Sequence, residues 1–326
     1  MLPYLRFRLQ LRSLGPTRRA HSHPEATPSL YGPRLRRVIG HALVEDFCPF
    51  QEPRCESRTT PPRKPAELCA TAQSCPYGVL VAASLGGRPP LALYVPPIEH
   101  DTGEAVAELT LLGPAWSLYP WLLKSTSEAL WRGLGKNRVR WDVARISRCS
   151  VRDETQETWD GDFRRLPANL EPDSIRLTVV DLDSESMPQE SSASVLVELL
   201  SPTRLVFDGR LVRSGPVEFE VLVGRILDRV GDLFGHDASP LLQTENRLRL
   251  LRAARRVSVL EDHTHWVEAP DYSQRQKAKL QLGGKVGRVV YGPEAKWFLE
   301  LLQVGELVQV GKNAASGCGR IQVAPR

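Results

Sequence analysis

LGGKVGRVVYGPEAKWFLELLQVGELVQVGKNAASGCGRIQV, residues 282–323, changes period repeatedly along its length. Lys285 to Tyr291 is short, apolar and β-branched, which reads as a strand. Glu294 to Leu302 follows with the spacing of an apolar helix. Glu306 to Val310 then reads as a strand, a glycine run extends from Gly311 to Gly319, and Arg320 to Val323 reads as a last strand. Gly311, Gly317 and Gly319 bracket a short loop that also carries Lys312, Asn313 and Arg320. Glycine admits positive φ and lets backbone approach a ligand closely. Backbone N–H groups turned into such a concavity favour anions, phosphate above all, and Lys312 and Arg320 add charge. On composition alone, a glycine-rich connection between strands is the more ordinary account.

The rest of the chain supplies context. Upstream in the same half, strands are expected at 175–182, 194–200 and 265–269. Helices are expected at 217–234 and 241–256, the second bearing Arg247, Arg249, Arg252, Arg255 and Arg256. In the first half, Leu5, Phe7, Leu9 and Leu11 alternate with Arg6, Arg8, Gln10 and Arg12, the period of a strand. Pro33 opens a helix whose Leu35, Val38, Ile39, Ala42 and Leu43 form one apolar stripe. Residues 48–77, with four cysteines and six prolines, read as an insertion. Strands at 78–83, 90–95 and 105–112, a helix at 118–131, a turn GLGKNR (133–138) and a strand at 139–148 complete this half. Each half therefore runs strand, helix, strand, strand, helix, strand, the ferredoxin-like order. The predicted fold is α+β, with two tandem ferredoxin-like (RRM-like, βαββαβ) domains and a C-terminal glycine-rich loop, 311–319. The boundaries read from sequence are 1–152, a polar linker 153–173, and 174–326.

Composition bounds the function. The net charge is +5 over 326 residues, so a nucleic-acid surface must be local. No apolar stretch approaches the roughly 20 residues needed to span a bilayer. The basic N-terminus alternates like a strand and lacks the continuous apolar region of a signal peptide. The expected location is the cytoplasm, with no membrane partner. In that compartment six cysteines argue for metal binding or free thiols before disulfides.

Taken in order, the motifs resemble CRISPR pre-crRNA processing endoribonucleases of the RAMP superfamily. The family pattern of a glycine loop after a V-G-K and closing in G-x-G-[RK] is met by Gly305, Val310, Gly311, Lys312, Gly317, Gly319 and Arg320. YSQRQK (272–277), LGGKVG (282–287) and SPTRLVFDGRLV (201–212) resemble further family motifs, as do YGPRLRRVIGHAL (31–43) and CPYG (75–78). The match is to the branch with a cysteine-bearing insertion.

The resemblance implies an endoribonuclease that cuts CRISPR repeat RNA to mature crRNA without a catalytic metal. A ribose 2′-OH attacks the adjacent phosphate, leaving a 2′,3′-cyclic phosphate and a 5′-OH. That reaction needs a base, an acid for the leaving oxygen and cations on the phosphate. Histidine suits the proton transfers because its ordinary pKa lies near working pH. His41 is the candidate. Arg34, Arg37 and His41 share the helix face opposite the apolar stripe, and Glu45, one turn on, is placed to orient His41. Arg37 is the phosphate clamp and Tyr31 a positioning group. A surface histidine between charges also needs no function at all, and only the family match singles this one out. His21 and His23, in the preceding loop, are the alternative pair. RNA contacts are expected from Arg34, Arg275, Gly311, Lys312, Gly317, Gly319 and Arg320. The arginines of 241–256 are either a solvated face or a second contact with RNA phosphates. Cys48, Cys55, Cys69 and Cys75, spaced C-x6-C-x13-C-x5-C, suit a structural zinc ion, though no C-x2-C pair is present. Expected partners are repeat RNA, crRNA and other CRISPR effector subunits. The alternative function is a non-catalytic RAMP subunit that binds crRNA as a scaffold.

Overall fold

The structure, a computed structural model, describes residues 1–15, 31–50, 68–82, 88–96, 103–134, 138–177, 193–235, 237, 239–273 and 278–326. The chain clusters into two compact units. One holds Pro3–Ser174 together with Ala315–Gly317; the other holds Met1–Leu2, Ile175–Ala314 and Cys318–Arg326.

In the first unit, β1 (Leu2–Ser13) is a central strand. The helix α1 (Tyr31–Phe47) follows, then a short α2 (Pro76–Leu80), β2 (Leu91–Tyr94) and β3 (Glu104–Leu112). The second long helix is α3 (Tyr119–Arg132), followed by β4 (Trp141–Cys149), β5 (Thr155–Asp160) and β6 (Asp173–Ile175). The sheet order is β2-β3-β1-β4-β5, with β6 also paired to β1. Its first four positions are the ferredoxin-like order, with antiparallel pairings throughout. Alternation along β1 does what the period demands. Leu5, Phe7, Leu9 and Leu11 enter the core, and Leu9 lies opposite Ala107 on one side and Ile146 on the other. The stripe of α1 joins the same core through Leu35, Ile39 and Leu43, and α1 packs beside α3.

Arg6, on the other sheet face, is only 3% exposed. Its guanidinium donates to Glu108 at 2.9 Å and sits 2.5 Å from Asp153 Oδ1. Arg8 reaches the same two carboxylates. Because Asp153 is tied to β1, the stretch 153–173 is not a free linker. It carries β5, which pairs with β4 (Trp159 opposite Ile146), and Leu170 enters the core. The Tyr119 hydroxyl donates to the Pro167 carbonyl. The segment reads as polar because β5 is a largely exposed edge strand.

Two further expectations are corrected. Residues 76–80 form α2, where 78–83 read as a strand. Pro76 sits in its first turn, and a Cβ on Gly78 would lie 2.1 Å from the Ala72 carbonyl oxygen. Short apolar runs do not distinguish helix from strand.

The second unit repeats the plan. It contains β7 (Val195–Thr203), a β8–β9 hairpin (Val206–Phe207, Arg210–Leu211), α4 (Phe219–Phe234) and α5 (Thr244–Ala254). Then come β10 (Val259–Asp262), β11 (His265–Val267), the pair β12 (Pro270–Ser273) and β13 (Ala278–Gln281), and β14 (Gly284–Tyr291). Last are α6 (Leu299–Val308) and β15 (Ile321–Pro325). The sheet order β10-β14-β7-β15 is again ferredoxin-like. Phe219 centres the core, its ring 4.7 Å from Tyr291 and 5.1 Å from Phe298. The second correction concerns 306–310. This segment is not a strand, because α6 continues to Val308. Leu301, Leu302, Val304, Leu307 and Val308 are all buried at helical spacing, and a Cβ on Gly305 would lie 2.6 Å from Ile226. The glycine run therefore joins a helix to a strand.

Candidate functional site

The helix α1 presents the candidate residues by simple geometry. Its buried positions, Leu35, Ile39, Ala42 and Leu43, turn Arg34, Arg37, His41 and Glu45 to the opposite side. His41 is exposed, and Arg34 and Arg37 are half-buried. The Arg34 guanidinium lies 5.7 Å from the centroid of the Tyr31 ring, placing a cation and a phenol together at the first turn. Glu45 does not serve His41 as expected. Its carboxylate accepts from Arg132 of α3, which anchors the two helices to each other.

The crest of the glycine run, Ala315–Gly317, belongs to this same unit and packs on that first turn. A Cβ on Gly32 would lie 2.7 Å from the Ser316 carbonyl oxygen and 2.9 Å from the Gly317 Cα. Only glycine permits so close a passage of backbone over helix. Gly317 itself has φ +83. Gly32 was not singled out from sequence, since a glycine at a helix start is usually a mere cap. The signal available was its pairing with the downstream glycines. Arg34, Arg37 and His41 thus share one helix face, half-buried at the arginines and exposed at His41, with the Tyr31 ring beside Arg34 at its start and peptide backbone over the first turn.

In the second unit the remainder of the run closes on itself. Val310 N–H donates to the Gly319 carbonyl at 2.7 Å, and Cys318 N–H donates to Asn313 at 3.3 Å. Gly311 and Gly319 are left-handed, and so are Gln309 and Asn313. Cys318 is buried, which pushes its thiol up to about 12, so it is a packing group rather than a nucleophile.

Lys312 is exposed, as a phosphate contact needs. Arg320 is not: it is 4% exposed, and its guanidinium donates to the Ile321 carbonyl at 2.5 Å and the Glu306 carbonyl at 3.5 Å. It satisfies one carbonyl on β15 and one near the end of α6, which corrects the expectation that it faces RNA. Lys312→Ala is therefore expected to weaken RNA binding across sequences and to lower the slope of log affinity against log salt by about one. Arg320→Ala is expected instead to destabilise the unit by about 1–3 kcal/mol, by stranding buried carbonyls. Binding titrations at several salt concentrations, with melting curves beside them, separate the two effects.

The arginines on and just after α5 are partly committed. Arg247 pairs with Asp228 at 2.6 Å, and Arg255 holds Glu220 through two bonds, both carboxylates being on α4. Arg275, Cys55, His21 and His23 lie outside the described residues. Cys69 is buried with its sulfur 3.2 Å from the Thr71 hydroxyl, Cys75 precedes α2, and Cys48 follows α1. Among the described residues no three His, Cys, Asp or Glu side chains are gathered to hold a metal ion. No helix among them is long and apolar enough to cross a membrane.

Two family models match the chain. One, described as CRISPR-associated endoribonuclease Cas6, spans residues 197–321. The other, AF_1859_N, described as an N-terminal domain, spans residues 2–170. Residues 197–321 therefore form a domain of the Cas6 family of CRISPR-associated endoribonucleases. Its fold agrees with solved Cas6 structures. A Cas6 product complex is 14% identical, covers 99% of both chains and gives a TM-score of 0.52. A partial Cas6-RT-Cas1–Cas2 complex is 11% identical and also reaches 0.52, covering all of this chain and 46% of that one. Among curated protein sequences none matches. At these identities the likeness to solved Cas6 structures speaks to the tandem ferredoxin-like fold. The residues of α1 stand on their own geometry.

Proposed function

We propose that this chain cuts CRISPR repeat RNA by attack of a ribose 2′-OH on the adjacent phosphate. The P–O5′ bond breaks, leaving a 2′,3′-cyclic phosphate and a 5′-OH. His41 exchanges the proton, Arg37 and Arg34 balance charge on the phosphate, and Tyr31 positions the strand. The observation that carries this reading is the shared face of Arg34, Arg37 and His41 on α1, with the helix's first turn under the glycine crest. In this reading His41 takes the proton from the attacking 2′-OH and returns it to the leaving 5′-oxygen, so one imidazole serves as base and then as acid without a metal ion. Lys312, exposed on the loop, holds an RNA phosphate and Arg275 adds a contact, while the buried Gly311, Gly317 and Gly319 shape the loop that presents Lys312. One relative was solved in a product complex and another in a complex with RT, Cas1 and Cas2. We accordingly place crRNA and other CRISPR proteins among this chain's partners.

The test is incubation with cognate repeat RNA in EDTA, followed by analysis of the product ends. The expected products carry a 5′-OH and a cyclic phosphate. Binding without cutting would make the chain a crRNA scaffold, and a 5′-phosphate product would exclude 2′-OH attack. We also propose that Cys48, Cys55, Cys69 and Cys75 close around a structural zinc ion. Metal analysis after dialysis is expected to find one equivalent, lowered by Cys69→Ser; none in the wild type removes the idea.

A further inference from the structure

The sequence of α3, YPWLLKSTSEALWR, places two large aromatic side chains in solvent. Trp121 is 39% exposed and Trp131 is 56% exposed. Tryptophan, with an apolar body and one polar N–H, is enriched at binding surfaces. Around Trp121 a groove of about 290 Å³ is lined by Phe47, Lys124, Phe163, Arg164 and Pro167. The ring of Phe47 has Lys124 Nζ 5.0 Å from its centroid, and that of Phe163 has the Arg164 guanidinium at 5.8 Å. Beside Trp131, Arg132 reaches across to Glu45 on α1, one turn beyond His41. Lys124 lies 3.6 Å from Asp46 and 3.7 Å from Glu128, so its charge too is held between the helices.

We propose that the outer surface of α3, from Trp121 to Trp131, is a stacking track for unpaired nucleotides flanking the scissile site. This rests on the nuclease reading of α1 given above. Base stacking on aromatic rings with cations interleaved is the general chemistry of single-strand binding. The groove has room for little more than a nucleoside, and ten residues of helix cover about 15 Å. That length suits about four bases at the ~3.4 Å rise of a stacked strand. The Arg164 guanidinium over Phe163, at the edge of a groove lined by Phe47 and Trp121, fits a flat base with its phosphate, while Lys124 and Arg132, paired with carboxylates, hold the two helices together. The Arg132–Glu45 pair makes the track continuous with the His41 face.

The test uses the full chain and a repeat RNA with a 2′-deoxy group at the scissile nucleotide. Three forms are compared: the bare hairpin, and the hairpin with a single-stranded extension on its 5′ or its 3′ side. One extension is expected to tighten wild-type binding by about fivefold to a hundredfold. Trp121→Ala and Trp131→Ala should each reduce that ratio of extended to bare affinity. Trp121→Phe and Trp131→Tyr, which keep a ring, should retain most of it and guard against a folding artefact. A wild-type ratio near one for both extensions overturns the proposal. So does a ratio that survives both alanine changes, which would leave these rings to a protein partner. Cleavage is read separately on unmodified RNA. An extension effect in a protein that never cuts supports the track and counts against the nuclease reading.

Discussion

Replacing His41 by alanine is expected to slow single-turnover cleavage of repeat RNA by about 10²–10⁴-fold, the usual contribution of a positioned proton-transfer group. The side chain is exposed on α1 and takes no part in the core, so stability should move by less than about 0.5 kcal/mol. RNA affinity should change far less than rate, because the imidazole is assigned to the reacting proton rather than to phosphate. His41→Gln keeps a hydrogen-bonding group of similar reach but cannot shuttle a proton, and it should be nearly as slow. Arg37→Ala is expected to lower rate and affinity together. Glu45→Gln should cost only a few-fold, since that carboxylate is engaged by Arg132 rather than by His41. The measurement is a single-turnover rate with saturating protein, set beside a binding titration. An unchanged rate for His41→Ala would remove His41 from the reaction and turn attention to His21 and His23.

Much of this fold is legible in the sequence. The alternation in β1 and the stripe on α1 gave the right core residues, because period alone decides which side chains point inward. The ferredoxin-like order could be read in both halves because the long elements are strongly periodic. The failures share a cause. The strands expected at 78–83 and 306–310 and the linker expected at 153–173 fail where tertiary contacts outrank local pattern. Pro76 starts a helix, Asp153 is captured by Arg6 and Arg8, and Gly305 lets α6 press against Ile226. In the candidate site, the face bearing Arg34, Arg37 and His41 follows from helical spacing. The partner of Glu45 and the burial of Arg320 do not, because each depends on a residue from a distant element or on a carbonyl that only the folded chain brings near. Gly32 is the clearest case. Nothing local marks it, and its meaning appears only when Ser316 and Gly317 pass over it.

Gly319→Ala should be among the most damaging small substitutions in the second unit. The residue is held at φ +80, where an L side chain is strained by about 1–2 kcal/mol. A Cβ there would also lie 1.9 Å from the Val310 carbonyl oxygen and 2.8 Å from its carbonyl carbon, both backbone atoms. Relief requires moving one strand of a tightly bonded knot. Val310 N–H donates to Gly319, Gly319 N–H donates to Pro202, and Arg320 N–H donates to Ser201 Oγ. Together these place the expected cost at about 3–5 kcal/mol. For a unit of this size that is a fall in Tm of about 10 °C. Gly209→Ala provides the internal control. It too is left-handed, at φ +76, but its Cβ would meet nothing within 4 Å. It should therefore cost only the backbone strain, about 1–2 kcal/mol. Thermal unfolding of the two variants separates conformation from collision. If Gly319→Ala melts no lower than Gly209→Ala, the loop is not closed against Val310. The same pair should divide in function. Gly319→Ala disturbs the loop that presents Lys312 and should weaken RNA binding, whereas the β8–β9 turn at Gly209 lies outside that loop.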